Sequence, residues 1–128
     1  MSDRVRFIPN PVGHTNVLLI DVSGFANPSE ALPFIDEAKI TVSGQPLRSV
    51  YCLVDVTGSR FNVDVVEAMK ELATHDRPYV IASAVVGVAG LMRVIFESVL
   101  AFSARKNLKS FPSRGEAFTW LSLQEPDA

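Results

Sequence analysis

The chain has 128 residues, of which 12 are basic and 14 acidic, and its formal net charge at pH 7 is −2. A chain of this length forms one domain that buries most of the surface exposed by its unfolded form. We therefore expect a single domain over residues 1–128, with an N-terminal edge strand and turn over 1–15 and a polar tail over 122–128. The balanced charge gives no electrostatic reason to expect nucleic acid or an anionic membrane as a partner.

Two segments bear on the location of the protein. Residues 1–6 carry charges where a secretory signal has an apolar core, which predicts a cytoplasmic protein. The segment 79–102 is apolar except for Arg93 and Glu97, and each charge near a bilayer centre would cost about 2.5–3.5 kcal/mol. We therefore expect a buried strand and a core helix there, and no transmembrane segment. The single cysteine, Cys52, lies among apolar residues and is predicted to be a buried free thiol.

The first half of the chain alternates strand and helix patterns. Charged and apolar residues alternate over 4–8 as in an edge strand, and a core strand is predicted over 17–22. The segment 27–30, Asn-Pro-Ser-Glu, supplies an N-cap, a proline suited to the first helical position and a glutamate that can complete a capping box. This predicts a first helix that ends at about Val42, although Pro33 should kink it or delay its start.

The second half repeats the alternation. Its predicted strands cover 49–55, 79–84 and 108–111, and its predicted helices cover 62–74, 88–104 and a segment that begins after a capping box at Ser113 and ends near Leu121. Strands that alternate with helices at this spacing predict an α/β fold, namely a mostly parallel, mixed sheet of about five strands with four helices.

Several segments together resemble a known family over nearly the whole chain. They are Asp21-Val22-Ser23-Gly24 after the first core strand, Asp55-Val56-Thr57-Gly58 after the second, the stretch 84–90, and Phe111-Pro112-Ser113 followed by Glu116, Ala117, Trp120 and Leu121. In these features the chain resembles the STAS-like (SpoIIAA-like) family, the fold of anti-sigma-factor antagonists, and especially its small stand-alone bacterial members. The resemblance implies a βα superhelix and a non-enzymatic role in protein–protein regulation, with ligand binding in some branches. None of the matching motifs is catalytic.

The chain departs from the regulatory members of that family at the helix after the second core strand. Those members resemble this chain up to a phosphorylatable serine at the helix N-terminus, where Asn62-Val63-Asp64 stands here. No hydroxyl occupies that place, and Asp64 would present a fixed negative charge. The nearby hydroxyls of Thr57 and Ser59 are interpreted first as turn formers.

The turns at the ends of the strands form the candidate partner or ligand surface. Its residues are Thr57, Gly58, Ser59, Asn62, Asp64, Gly87, Gly90 and Arg93. Gly87 and Gly90 would let the backbone approach an anion closely, and tight helix–strand packing explains them equally well. Arg93 could hold a carboxylate or phosphate beside the helix N-termini, whereas a surface ion pair with Glu97 is the plainer interpretation.

The third predicted helix is unusually apolar. Its apolar residues cover an arc of roughly 200°, about twice the stripe that packing on one core requires. The candidate dimer face or second apolar face consists of Met92, Phe96 and Val99. Intramolecular packing is the first interpretation, a symmetric homodimer the second and an apolar ligand the third.

No catalytic constellation stands out. His14 and His75, the two histidines, are placed in loops without the spacing of metal ligands, and Ser83 lies in a strand and not on a nucleophile elbow. The leading hypothesis is therefore a non-enzymatic regulatory or protein-interaction module that pairs with another protein or itself, without metal or cofactor. The alternative is a small-ligand binding protein for an apolar or anionic compound, and the third hypothesis is an enzyme with an unrecognised site.

Overall fold

A computed structural model describes residues 2–125 of the protein. Its strands are β1 (Val5–Pro9), β2 (Asn16–Asp21), β3 (Val50–Asp55), β4 (Val80–Val86) and β5 (Leu108–Phe111). They form one sheet in the order β1-β2-β3-β4-β5, in which β1 runs antiparallel to β2 and the other neighbours are parallel. The predicted α/β fold with a mostly parallel, mixed sheet is therefore confirmed.

Helices cover both faces of the sheet. They are α1 (Leu32–Ser43), α2 (Val63–Asp76), α3 (Leu91–Ser103) and α4 (Arg114–Ser122). From β2 to β5 each strand lies next to the previous one, always on the same side of it. The connection between two neighbouring parallel strands is a crossover, and crossovers of this kind are right-handed. The helices α1, α2 and α3 consequently share one face, while α4 covers the other.

The central strands are buried on both faces, which explains their continuous apolar runs. Along β2, Leu18 and Ile20 pack towards α1–α3, whereas Val17 and Leu19 pack towards α4. Small residues bring α4 close to the sheet, namely Ala82, Ala84 and Ala117. The core therefore has two layers, and Cys52 lies fully buried in the layer under α1–α3.

The start of the first helix shows the predicted delay. The capping box of Asn27 and Glu30 stands at the start of a short 3-10 helix, Pro28–Ala31, and the α-helix follows from Leu32. Pro33 then lies in the first turn of α1, where its missing N–H has no intrahelical partner to lose.

Some element ends differ from the predicted ones. The strand β4 extends to Val86, and α3 begins at Leu91 because the non-helical Gly90, with φ +57°, precedes it. The helix α2 continues to Asp76, so His75 lies in its last turn and not in a loop. In the predicted polar tail, Ser122 still belongs to α4 and the Gln124 carbonyl accepts a hydrogen bond from Tyr51 at 2.7 Å, while 126–128 lie outside the described residues.

Candidate functional site

A cavity of about 60 Å³ lies between the sheet and the helices α2 and α3. Its walls are mostly apolar, with side chains from β3, β4, α2 and α3. Four polar residues also line it, namely Cys52, Asp76, Ser83 and Arg105. An apolar enclosure with a few convergent polar groups is the usual form of a small-molecule site.

The pattern of α2 brings a carboxylate into this cavity. Met69, Leu72, Ala73 and Asp76 all line it, and their spacing of three and four residues places them on one face of the helix. Asp76 is therefore the continuation of an apolar stripe into the last turn of α2. The helix predicted from the sequence ends at residue 74 and therefore omits Asp76. The spacing of Asp76 from Met69, Leu72 and Ala73 would nevertheless have placed it on the apolar face of a longer helix.

Asp76 is buried without a partner for one of its oxygens. The residue is 4% exposed, and its Oδ1 has no hydrogen-bond partner within residues 2–125. Burial raises the pKa of Asp76 to about 7, and the positive charges of Arg105 and Lys39 only partly oppose this shift. An unsatisfied buried polar group costs about 1–3 kcal/mol, so this carboxyl lowers the stability of the fold.

Arg105 reaches the same cavity from the segment after α3. The left-handed residue Ala104 (φ +54°) ends the helix and turns the chain inward. The guanidinium of Arg105 then donates from Nη2 to Ser83 Oγ at 2.9 Å and from Nη1 to the Ala73 carbonyl at 3.3 Å. A third bond runs from Nε to Asn107 Oδ1 at 3.0 Å. These bonds tie the end of α2 to β4 and to the start of β5.

Burial shifts the pKa of two other polar groups in the cavity. It lowers the pKa of Arg105, and the nearby Asp76 partly counteracts this shift. It also raises the pKa of the Cys52 thiol, so this cysteine is uncharged at neutral pH. A neutral buried thiol is a poor nucleophile.

A second polar cluster lies at the carboxyl end of β2 and β3. Arg114, in the first turn of α4, places its Nη2 2.8 Å from Asp55 Oδ2 and 3.7 Å from Asp21 Oδ2. Arg4 reaches Asp21 Oδ1 at 3.8 Å. Burial alone would raise the pKa of Asp55, but hydrogen bonds from Thr57 and Arg114 hold it below its usual value. These carboxylates are already paired, which marks the cluster as a structural tie between α4 and the sheet.

The turn after β3 is only partly available to a partner. Thr57 and Gly58 are exposed, and the Thr57 carbonyl accepts a backbone bond from Gly24 at 3.0 Å. Ser59 is 8% exposed and its hydroxyl donates to the Val22 carbonyl. Ser59 therefore links two neighbouring turns, as its interpretation as a turn former implied.

The predicted residues at the start of α2 separate into a cap and an exposed charge. Asn62 is the N-cap, because its Oδ1 accepts from the Val65 N–H at 2.9 Å, and its Nδ2 donates to Ser29 Oγ at 3.0 Å. Asp64 follows in the first turn and is exposed.

The two predicted glycines serve different purposes. A Cβ on Gly87, whose φ is +91°, would lie 2.6 Å from both Cα and N of Thr57, so the glycine permits tight packing of two turns. Gly90 is open, with nothing within 4 Å of such a Cβ. Arg93 is exposed, the only hydrogen bond of its side chain within the described chain goes to the Val88 carbonyl at 3.5 Å, and no ion pair with Glu97 forms there.

The predicted second apolar face of α3 points inward. Met92, Phe96 and Val99 line the cavity, and Val99 is 7% exposed. The outward apolar side chains are instead Leu91, Val94 and Phe102, with exposures of 83%, 68% and 59%. The wide apolar arc of α3 thus divides into an inner flank over the cavity and an outer flank on the surface.

Comparisons with protein-family models, with curated proteins and with solved structures find no match for this chain. The STAS-like resemblance therefore stays a prediction carried by the sequence motifs. Between residues 2 and 125, no helix has the length and apolar character needed to cross a bilayer. Over the same residues, no cluster of three or more His, Cys, Asp or Glu side chains is placed to hold a metal ion.

Proposed function

We propose that the protein binds a small, largely apolar ligand in the cavity between the sheet and the helices α2 and α3. This is the alternative hypothesis of the sequence analysis, and one observation carries it. The wall of an apolar cavity contains the buried Asp76, whose Oδ1 has no partner within the described residues, and the buried Arg105. Convergent polar groups with shifted pKa values in an apolar enclosure are typical of ligand sites.

Stability alone does not account for this arrangement. Well-packed apolar side chains in place of buried charges are often neutral or stabilising. Asp76 and Arg105 line the same cavity, yet they form no ion pair with each other within residues 2–125. A ligand head group that bonds to both side chains would remove the cost of leaving Asp76 Oδ1 unsatisfied.

The walls of the cavity suit a ligand larger than the present space. A cavity of about 150 Å³ binds benzene, so the 60 Å³ found here admits only a few ligand atoms without rearrangement. Met69 and Met92 both line the cavity. Methionine has three rotatable bonds and fills irregular spaces, so these two side chains can move aside as a longer chain enters.

A filled-cavity variant tests this proposal. Val99→Phe places a ring in the cavity, whereas Val94→Phe makes the same change on the outer flank of the same helix. We expect the neutral dye N-phenyl-1-naphthylamine to bind the wild type and Val94→Phe with similar affinity and to lose most of its binding to Val99→Phe. Fluorescence titration measures this, and circular dichroism checks folding.

A second filled-cavity variant keeps the test decisive if the first variant does not fold. Ala73→Leu places a larger side chain on a different wall of the cavity, which reduces the space inside and should also weaken dye binding. Equal dye binding by the wild type and both filled variants would show that the dye binds elsewhere and would contradict the proposal.

The leading hypothesis of the sequence analysis is kept as a second candidate function, because α3 exposes an apolar flank. A protein-interaction module of the STAS-like class would use Leu91, Val94 and Phe102 to contact a second copy or another protein. If the flank mediates self-association, Val94→Asp yields a folded monomer in light scattering, while Ile40→Asp on the exposed face of α1 leaves the oligomer intact. A wild type that is monomeric at high concentration would contradict self-association.

A further inference from the structure

We infer that the ligand carries an uncharged hydroxyl head group, which binds between Asp76 and Arg105 at the polar end of the cavity. This inference rests on the proposed function and specifies the chemical class of its ligand: an aliphatic alcohol, in preference to a fatty acid or an alkylamine of the same length.

The first support is an unfilled acceptor. Asp76 is 4% exposed, and its Oδ1 has no hydrogen-bond partner in the described part of the chain. Asp76 also lines the cavity. A ligand that donates one hydrogen bond to Oδ1 would satisfy this atom, whereas a head group with acceptors alone would leave it unsatisfied.

The second support is a partly used donor. A guanidinium has five N–H groups, and the bonds to Ser83, Ala73 and Asn107 use three of those on Arg105. Arg105 lines the cavity and keeps N–H groups on its terminal nitrogens for a further acceptor. A hydroxyl both donates and accepts, so one oxygen atom can satisfy Asp76 and Arg105 together.

The third support is the pair of opposite charges. An ammonium head group would be attracted by Asp76 but repelled by Arg105, and a carboxylate head group would be attracted by Arg105 but repelled by Asp76. In either case the attraction and the repulsion offset each other, so the cost of taking the charge out of water is not recovered. A neutral head group avoids this cost, and the apolar walls accept its alkyl chain.

The test compares three ligands of one chain length at pH 8, namely 1-octanol, octanoate and octylamine. The protein carries ¹³C-methyl methionine, and the signals of Met69 and Met92, assigned by changing each to Leu, report occupancy of the cavity by NMR. We expect 1-octanol to bind at least about tenfold more tightly than either charged compound, because a site built around buried polar groups rejects the wrong head group.

Two variants at Asp76 connect this preference to the carboxylate. Asp76→Leu removes the acceptor at similar size and should reduce the preference for 1-octanol over 1-chlorooctane, which has no donor, to less than about threefold. Asp76→Asn keeps an oxygen acceptor and should retain most of the preference. If Asp76→Leu does not fold, the comparison of 1-octanol with 1-chlorooctane in the wild type still decides the point.

The outcomes separate this inference from the proposed function. Octanoate or octylamine binding as tightly as 1-octanol would overturn the hydroxyl head group and leave the cavity as the binding site. Binding of 1-chlorooctane as tight as that of 1-octanol would likewise overturn the hydroxyl head group and leave the cavity as the binding site. Failure of all four compounds to shift the Met69 and Met92 signals, while the neutral dye still binds, would also overturn the inference alone; loss of dye binding as well would overturn both.

Discussion

At the scale of single residues, Asp76 combines deep burial with an oxygen, Oδ1, that has no hydrogen-bond partner within residues 2–125. The helical spacing of α2 places it on the apolar face, beside Leu72 and Ala73. Asp76 is one of the four polar residues in the wall of the cavity. Its ionisation also makes the free energy of unfolding depend on pH, since the folded and unfolded states hold its proton with different affinity.

Asp76→Asn should flatten this pH dependence. The pKa of Asp76 is about 7 in the folded protein against 3.8 in the reference state, so the folded state retains the proton between those values. Ionisation therefore lowers the free energy of unfolding of the wild type as pH rises from about 4 to 7, by about 2–4 kcal/mol, even with Arg105 and Lys39 nearby. The variant should be the more stable protein at pH 8 and show little gain at pH 4.

Urea denaturation at a series of pH values measures this difference. Asp36→Asn changes an exposed carboxylate on α1 and should follow the wild-type curve. A loss of stability in Asp76→Asn that is the same at pH 4 and pH 8 would contradict the shifted pKa.

Gly87 and Gly90 form a matched pair for a second residue-scale prediction. Both have positive φ, but only at Gly87 would an added Cβ meet the backbone of Thr57. Gly87→Ala should therefore cost about 3 kcal/mol or more, while Gly90→Ala should cost only the left-handed strain of about 1–2 kcal/mol. Thermal unfolding followed by circular dichroism compares them, and equal losses would show that the close approach is absent.

At the scale of elements, two of the four α-helices in the described part of the chain begin at a polar side-chain cap. Asn62 caps α2 and Ser113 caps α4, while Asn27 caps the 3-10 helix that leads directly into α1. The helix α3 has neither kind of support, since it begins after Gly90 without a side-chain cap. The inner flank of α3 also borders the cavity, so this helix has the weakest local support of the three on its face.

Asn62→Ala should destabilise α2 and the contact that Asn62 makes with the turn before α1. The Oδ1 bond to the Val65 N–H and the Nδ2 bond to Ser29 are both lost, and loss of such a cap costs about 0.5–2 kcal/mol. Val63→Ala, an exposed change in the next position, should cost less. The midpoint of urea unfolding measures both, and similar midpoints for the two variants would contradict the capping role.

At the scale of the whole molecule, stability is unevenly distributed over the helical layer. The helix α2 buries Val65, Leu72, Ala73 and Asp76, whereas α3 buries only Val99 and Ser103. Segments with few buried contacts open locally at lower free energy than the global unfolding. The side of the molecule over the cavity is therefore expected to be its least stable part.

Hydrogen exchange should show this gradient. Backbone amides of α3 are expected to exchange about tenfold or more faster than those of α2, and a saturating cavity ligand such as 1-octanol should slow α3 more than α1. Mass spectrometry of the exchanged peptides measures both effects. Equal protection of α2 and α3 without ligand would contradict the expected gradient.

The sequence by itself determined the order of the elements and the fold class. Strand patterns that alternate with helix patterns predicted a mostly parallel sheet, capping residues located the turn before α1 and the start of α4, and the surroundings of Cys52 predicted its burial. These are local signals, because periodicity and caps act within a few residues along the chain.

Only the tertiary structure decided the candidate site. Arg105 meets Ala73 and Ser83, which lie 32 and 22 residues away in sequence, and no periodic pattern links them. The left-handed residue Ala104 turns Arg105 inward, although its position after an apolar helix resembles that of a solvated C-terminal charge. The inward direction of Met92, Phe96 and Val99 likewise follows from how α3 packs over α2 and the sheet, since an arc apolar on two flanks does not specify which flank is buried.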